Sequence, residues 1–424
     1  MSKGPRVRAW RSLPLLLAAL WPLAAPAQSA RPESVGLSVT RLQRINQLID
    51  RYMASGDISG AVTLVARNGR VVHLQAQGVT NLESKAPMQK DTIFRIASMT
   101  KPVAGVAILM LIEQGTVRLT DPISKFIPSF KEAKVAIVRP APPPPAGQPA
   151  EGTPPGPTTY TVPVDRAITV LDVLTHTSGI MSGPVSQAAG QSITDTRATV
   201  GLKWVDGIGS VPLEFQPGAR WAYSPSAGFD LLSRIVEIAS GQSFNEFVSE
   251  RIFAPLGMRE TFFWPADAQR ARIVTAYTRT ATGLVPNETA DANTGPDYFS
   301  GAGGLRSTAE SYARFAMMLA NRGELNGVRI LSPRSVELMG SAYIPDTLPG
   351  RPPGEGYGLS VRVVTDPVAR RTPLSKGSFG WTGAHGTHFW ADPEKQLTGI
   401  LLVQTPSNQL RADFENAVMQ ALVE

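Results

Sequence analysis

The sequence predicts an α/β (α+β) fold: an antiparallel sheet flanked by helices, built from both chain ends, with a mostly helical second lobe. Three observations predict it. Near the start, AVTLVAR and RVVHLQAQ flank Asn68-Gly69, the dipeptide best suited to a type I′ hairpin turn. Near the end, GTHFWAD and LTGILLVQT flank a second turn at Asp392-Pro393-Glu394-Lys395. Between them, residues 168–260 read mostly as helix. Strands joined by short turns pair antiparallel, so the two chain ends are expected to share one sheet.

The elements follow in order. MSKGPRVRAWR is basic and leads into SLPLLLAALWPLAA, and the small residues of APA-Q suit cleavage after Ala27. Residues 1–27 therefore read as a secretory signal peptide, with a mature domain over 28–424 that is exported to the periplasm or beyond. The apolar run is too short to span a bilayer core of about 30 Å, so no stable membrane insertion is expected after cleavage. VTRLQRINQLIDRYMASG has apolar residues at helical spacing and a closing glycine. Residues 99–114 are apolar nearly all round, as in a helix buried between layers.

RPAPPPPAGQPAEGTPPGP, residues 139–157, holds nine prolines in nineteen positions. Proline supplies no ladder donor, so an extended surface loop is expected there, within an insertion over 139–163. SAGFDLLSRIVEIASG and SFNEFVSERIF are the clearest middle helices, GLSVRVVT is expected as a strand, and NQLRADFENAVMQALV as a closing helix. Residues 28–115 and 300–424 thus form the α/β lobe and 116–299 the mostly helical lobe. A cleft between lobes is the expected active site.

Composition narrows the function. With 424 residues, 42% hydrophobic and 18% charged, the chain is an ordinary globular protein. Four positive charges of the net +7 lie in the leader, and the remainder carries 37 basic against 34 acidic residues. That near balance argues against a nucleic-acid partner. With no cysteine there is neither a disulfide nor a thiol nucleophile.

The chemistry concentrates at FRIASMTKPVAG. Ser98 and Lys101 are three residues apart, hence on one face of a helix. Pro102 falls in the first turn, where its missing N–H does little harm, and Ser98 would sit at the positive end of the helix dipole. A serine hydroxyl is a weak nucleophile until a neighbour takes its proton, and an amine withdrawn from water can do so. Composition alone would produce about one Ser-x-x-Lys pair, so the spacing needs support from elsewhere in the chain.

Support comes from LTHTSGI (174–180), WAYSPSAG (221–228), GAGGLRSTAESYARFA (301–316) and FGWTGAHG (379–386), which follow in that order. Together with FRIASMTKPVAG they resemble the serine β-lactamase and penicillin-recognising superfamily, most of all its family VIII carboxylesterases. The resemblance covers roughly residues 32–420 and implies a β-lactamase/transpeptidase-like fold. It implies acylation at Ser98 with Lys101 and Tyr223 as proton carriers, the order of which stays open. It places the Lys-Thr-Gly strand of the superfamily on Trp381-Thr382-Gly383, and an oxyanion hole at the N–H groups of Ser98 and Ala384. No metal or cofactor is implied.

Two positions depart from the β-lactamase pattern. Pro225 replaces an asparagine that would bind a substrate carbonyl, and Trp381 replaces a lysine that would attract a substrate carboxylate. An indole has one N–H and a large apolar face but no charge. A neutral, short-chain ester is therefore the expected small-molecule partner, with Pro225, Trp381, Gly383 and His385 lining its site. A β-lactamase or D-amino-acid peptidase on the same scaffold is one alternative, and a non-catalytic receptor for cell-wall fragments is another.

Competing chemistries find less support. No Gly-x-Ser-x-Gly nucleophile elbow occurs. Among the four histidines, His73 reads as packing, His176 as structural and His385 as a cleft residue. His385-Gly-Thr-His388 has weak metal spacing without a carboxylate cluster. Gly301, Gly303 and Gly304 lack a phosphate-loop context and read as a turn before a helix. Asp57 and Asp91 have no legible carboxylate partner.

Overall fold

Asn68 and Gly69 both adopt positive φ, 53° and 71°, so the first hairpin closes through the tight turn that its sequence predicts. The computed structural model describes residues 29–139, 158–291 and 295–424. The signal peptide expected over 1–27 and the proline-rich loop from 140 to 157 lie outside the described residues.

Five longer helices and the strands of the main sheet frame the site. They are α1 (Val39–Ala54), β1 (Gly60–Arg67), β2 (Arg70–Gly78), α2 (Lys101–Glu113), α3 (Ala227–Ser240), α4 (Ala309–Ala320), β3 (Glu355–Tyr357), β4 (Arg362–Val364), β5 (Phe379–Thr382), β6 (His388–Asp392), β7 (Leu397–Leu402) and α5 (Asn408–Met419). The sheet has seven antiparallel strands in the order β3-β4-β5-β6-β7-β1-β2. Its two halves join where Val62 faces Leu402 and Leu64 faces Ile400, so both chain ends do share one sheet.

Alternation of side chains explains the layers. Val62 and Leu64 on β1, with Ile400 and Leu402 on β7, pack against Val103 and Ile108 of α2 and Tyr312 and Phe315 of α4. Val65 and Leu401 turn to the opposite face, where Leu42, Ile45 and Ile49 of α1 and Leu410, Phe414 and Val418 of α5 cover them. Helix α2 is buried from Lys101 through Leu111, as an all-round apolar sequence requires.

The middle of the chain is helical but also carries strands. Lys134–Arg139 pairs with Thr158–Pro163, so the residues flanking the proline-rich stretch form a hairpin, and Tyr277–Thr280 pairs with Gly283–Pro286. GLSVRVVT is not the single strand expected. It contributes β4 and the turn behind it: Ser360 takes φ 72° and donates its N–H to the Leu174 carbonyl at 3.0 Å. That bond to the helical lobe ends one strand and begins the next.

Candidate active site

Ser98 lies in a 3₁₀ turn, Ala97–Thr100, that runs directly into α2. The turn is fixed from several sides. Phe94–Arg95 before it pairs with Arg306–Ser307. Thr387 Oγ1 donates to the Ile96 carbonyl at 3.1 Å, and Tyr312 OH to the Met99 carbonyl at 2.8 Å. Thr100 Oγ1 donates to the Ala97 carbonyl at 2.7 Å and accepts the Leu305 N–H at 3.2 Å. Ala97 itself takes φ 46°, a left-handed conformation that costs a residue with a Cβ about 1–2 kcal/mol. Strain beside a reactive side chain is a common mark of a functional turn.

Lys101 is 0% exposed, an arrangement that burial alone would punish severely. Its Nζ is met by three oxygens: Ala302 O at 2.7 Å, Pro225 O at 2.8 Å and Ser98 Oγ at 3.2 Å. It also lies 5.0 Å from the centre of the Tyr223 ring. A charged ammonium donates to all three oxygens. A neutral amine donates to the two carbonyls, and its lone pair then faces the Ser98 hydroxyl. The two carbonyls thus aim the nitrogen at the serine.

Tyr223 OH is 2.8 Å from Ser98 Oγ. Burial pushes the phenol up, but the Lys101 charge and hydrogen bonding with Lys101 and Ser98 outweigh it, leaving Tyr223 more acidic than an ordinary tyrosine. The Trp381 indole N–H adds to that shift without completing a hydrogen bond of its own. Trp381 lies at the end of β5 with its ring 5.7 Å from that of Tyr223. His176, at φ 57°, packs its ring 4.8 Å from Tyr223, and its Nδ1 accepts the Ser224 N–H at 3.1 Å. Burial and the Lys101 charge keep His176 neutral, and its part is to pack and orient the 221–224 segment.

The remaining expected residues divide. Gly383 sits so close to the chain before Ser98 that a Cβ there would come 2.3 Å from the Ile96 carbonyl oxygen, which explains the glycine. Its N–H donates to Thr387 O at 2.7 Å, closing the turn that presents the exposed Ala384. Pro225 contributes its carbonyl to Lys101, which its side chain gave no reason to expect. His385 is half-buried, and burial and the charge of Arg95, opposed by Asp291, depress its pKa. His388 is buried against Glu415, 2.9 Å away, and His73 against Thr63, 2.8 Å away. Among the described residues no group of three or more His, Asp or Glu side chains could hold a metal ion.

One buried acid escaped the sequence reading. Asp230 on α3 is 0% exposed and accepts from Ser300 Oγ at 2.6 Å, the Ala302 N–H at 3.2 Å, Trp204 Nε1 at 3.3 Å and the Tyr298 hydroxyl. Within FDLLSRIVE it looks like any charged position on an amphipathic helix, and three of its four donors lie about 70 residues onward.

Comparison with known proteins agrees with the fold and the motifs. A family model described as Beta-lactamase matches residues 45–423. Protein Rv1367c of Mycobacterium tuberculosis is 36% identical over 368 residues, which cover 82% of this chain and 86% of the relative. Esterase EstB of Burkholderia gladioli is 28% identical over 424 residues, covering 93% of this chain and 99% of the relative. Among solved structures, EstCE1, a hydrolase with promiscuous acyltransferase activity, aligns with a TM-score of 0.74 at 24% identity, covering 90% of this chain and 99% of its own.

Proposed function

This chain belongs to the beta-lactamase family, and from that premise we propose that it hydrolyses neutral, short-chain carboxylic esters through an acyl-enzyme at Ser98. The observation that carries the reading is the position of Ser98 Oγ, 3.2 Å from Lys101 Nζ and 2.8 Å from Tyr223 OH. Both are within reach for direct proton transfer.

In the first half-reaction the Ser98 hydroxyl gives its proton to the Lys101/Tyr223 pair while Oγ attacks the ester carbonyl carbon. The oxyanion that forms is held by the N–H groups of Ser98 and Ala384, donors typically worth about 10²–10³ each in rate. The tetrahedral species collapses, the C–O bond to the alcohol breaks, and the pair returns the proton to the leaving oxygen. In the second half-reaction water loses a proton to the same pair and attacks the acyl carbon. The carboxylic acid leaves and Ser98 recovers its hydrogen. These steps use protein groups and water alone.

The preference for neutral substrates rests on Trp381. Where a lysine would draw in a carboxylate, this chain offers an uncharged ring packed among Tyr223, Tyr357 and His176. Likeness to Esterase EstB supports ester hydrolysis as the reaction. Turnover of p-nitrophenyl butyrate by the wild type and by Ser98→Ala tests the proposal. The wild type should hydrolyse the ester with an acyl group detectable on Ser98 by intact mass, and the variant should do neither. Equal rates for the two proteins would overturn it.

A further inference from the structure

The two carbonyls that aim Lys101 must themselves be held, and for one of them the holder is an acid that no step of the proposed reaction consumes. We propose that Asp230 is a positioning residue: by fixing the 298–302 turn it aims the Lys101 amine at Ser98 and supplies the negative charge that balances it. The inference rests on Ser98 being the nucleophile and deepens that reading.

Four donors converge on the Asp230 carboxylate, from Trp204, Tyr298, Ser300 and Ala302. Burial raises the Asp230 pKa above that of an ordinary carboxylate, and the hydrogen bonds from Ser300, Tyr298 and Ala302, with the charge of Lys101, oppose that rise and favour the ionised form. A buried carboxylate is expensive unless it is both hydrogen-bonded and offset by a cation. The cation that acts on it is Lys101. Among the described residues, the titratable groups on which the Lys101 charge acts are Tyr223, His176 and Asp230; Asp230 is the carboxylic acid of the three, and it is joined to the amine through the Ala302 backbone, whose N–H it binds and whose carbonyl meets Nζ. On the far side of Asp230 stands Tyr298, on which Arg197 also acts.

Three of the four donors belong to one turn, and that turn ends in the carbonyl on Lys101. Ser300 and Ala302 bond the same oxygen, Oδ1, while Ala302 O lies 2.7 Å from Lys101 Nζ. The turn also has no room to retreat. A Cβ at Gly301 would come 1.8 Å from Ser233 Oγ, one residue-triplet along α3 from Asp230. Helix α3 therefore holds the carbonyl in place by hydrogen bonds on one side and by close contact on the other.

Asp230→Asn separates shape from charge. The amide oxygen can still accept from Ser300 and Ala302, and the amide N–H₂ can donate to Tyr298, while the charge and the bond from Trp204 are lost. The measurement is the rate at which a fluorophosphonate labels Ser98 across pH, in the wild type, Asp230→Asn and Gly301→Ala. Losing a nearby negative charge favours the neutral amine, so the acid limb of the Asp230→Asn profile should move to lower pH by about one unit. Gly301→Ala keeps the charge and forces the new methyl against Ser233 Oγ at 1.8 Å and the Phe229 carbonyl at 3.1 Å, so that either Ser233 turns or the 298–302 turn shifts with its carbonyl. It should label at least about tenfold more slowly with its acid limb unmoved. A profile for Asp230→Asn that superimposes on the wild type would overturn the inference, as would a wild-type rate for Gly301→Ala. Should Asp230→Asn not fold, Gly301→Ala decides alone. A wild type that is never labelled at Ser98 would instead remove the nucleophile assignment.

Discussion

Trp381 and Tyr357 meet edge to face, with ring centroids 5.3 Å apart and planes at 89°. Such a pair contributes about 0.5–1.5 kcal/mol beyond its buried area, which fixes the indole as a wall beside Tyr223. Trp381→Lys would replace that wall with a cation. The ratio of kcat/KM for a p-nitrophenyl monoester of a dicarboxylic acid to that for p-nitrophenyl butyrate should rise by about tenfold or more, since an ammonium near a carboxylate gains on the order of 1–4 kcal/mol in partly exposed surroundings. An unchanged ratio would show that this wall does not set charge preference.

The proton carriers can be removed with little change of shape. Tyr223→Phe keeps the ring contacts with His176 and Trp381 and loses only the hydroxyl. Lys101→Met keeps most of a buried side chain and loses the amine. Each should lower kcat for p-nitrophenyl butyrate by about 10²–10⁴ while KM changes little. Because both act on one proton, the double variant should be scarcely worse than the more damaging single one. Steady-state kinetics on the four proteins checks this. Full additivity would mean the two groups work in separate steps.

These residues were legible because the chain keeps them in short, ordered segments, and the hairpin was legible because Asn68-Gly69 can hardly do anything else. What the sequence concealed depends on contacts between distant segments. Pro225 and Ala302 act on Lys101 through backbone carbonyls, and a carbonyl leaves no trace in residue identity. Asp230 sits on an amphipathic helix where an acid is unremarkable until Tyr298 and Ser300 fold over it. GLSVRVVT reads as a strand by its β-branched residues, but Ser360 is drawn to Leu174 of the other lobe and breaks it.

Gly383→Ala tests the close approach that presents Ala384. The new methyl would stand 2.3 Å from Ile96 O and 2.1 Å from Thr387 Oγ1, so the turn after β5 must move away from the residues before Ser98. With one oxyanion donor displaced, kcat should fall by about 10²-fold or more. The melting temperature should drop far less than a core truncation would cause, because the turn lies at the rim of the sheet. Kinetics paired with a thermal melt separates the two effects. A wild-type kcat would mean that the Ala384 N–H is not needed where it stands.

Acid should destabilise the fold through histidines that are buried neutral. His73 on β2 is 8% exposed and bonded to Thr63, and burial, with a smaller contribution from the Lys90 charge, lowers its pKa from 6.5 to about 4. In the unfolded chain His73 takes up a proton as pH falls through 6.5, whereas the folded protein resists until about 4. Between those values the unfolded state binds more protons, so stability declines as pH falls, by about 3 kcal/mol for this one group when the window has been crossed. His73→Gln keeps a partner for the Thr63 hydroxyl and cannot titrate. Its melting temperature should fall less steeply than that of the wild type across this window, with ester turnover at neutral pH unaltered because β2 lies at the sheet edge remote from β5. Parallel melting curves for the two proteins would mean that His73 is protonated in the folded state as readily as in the unfolded chain.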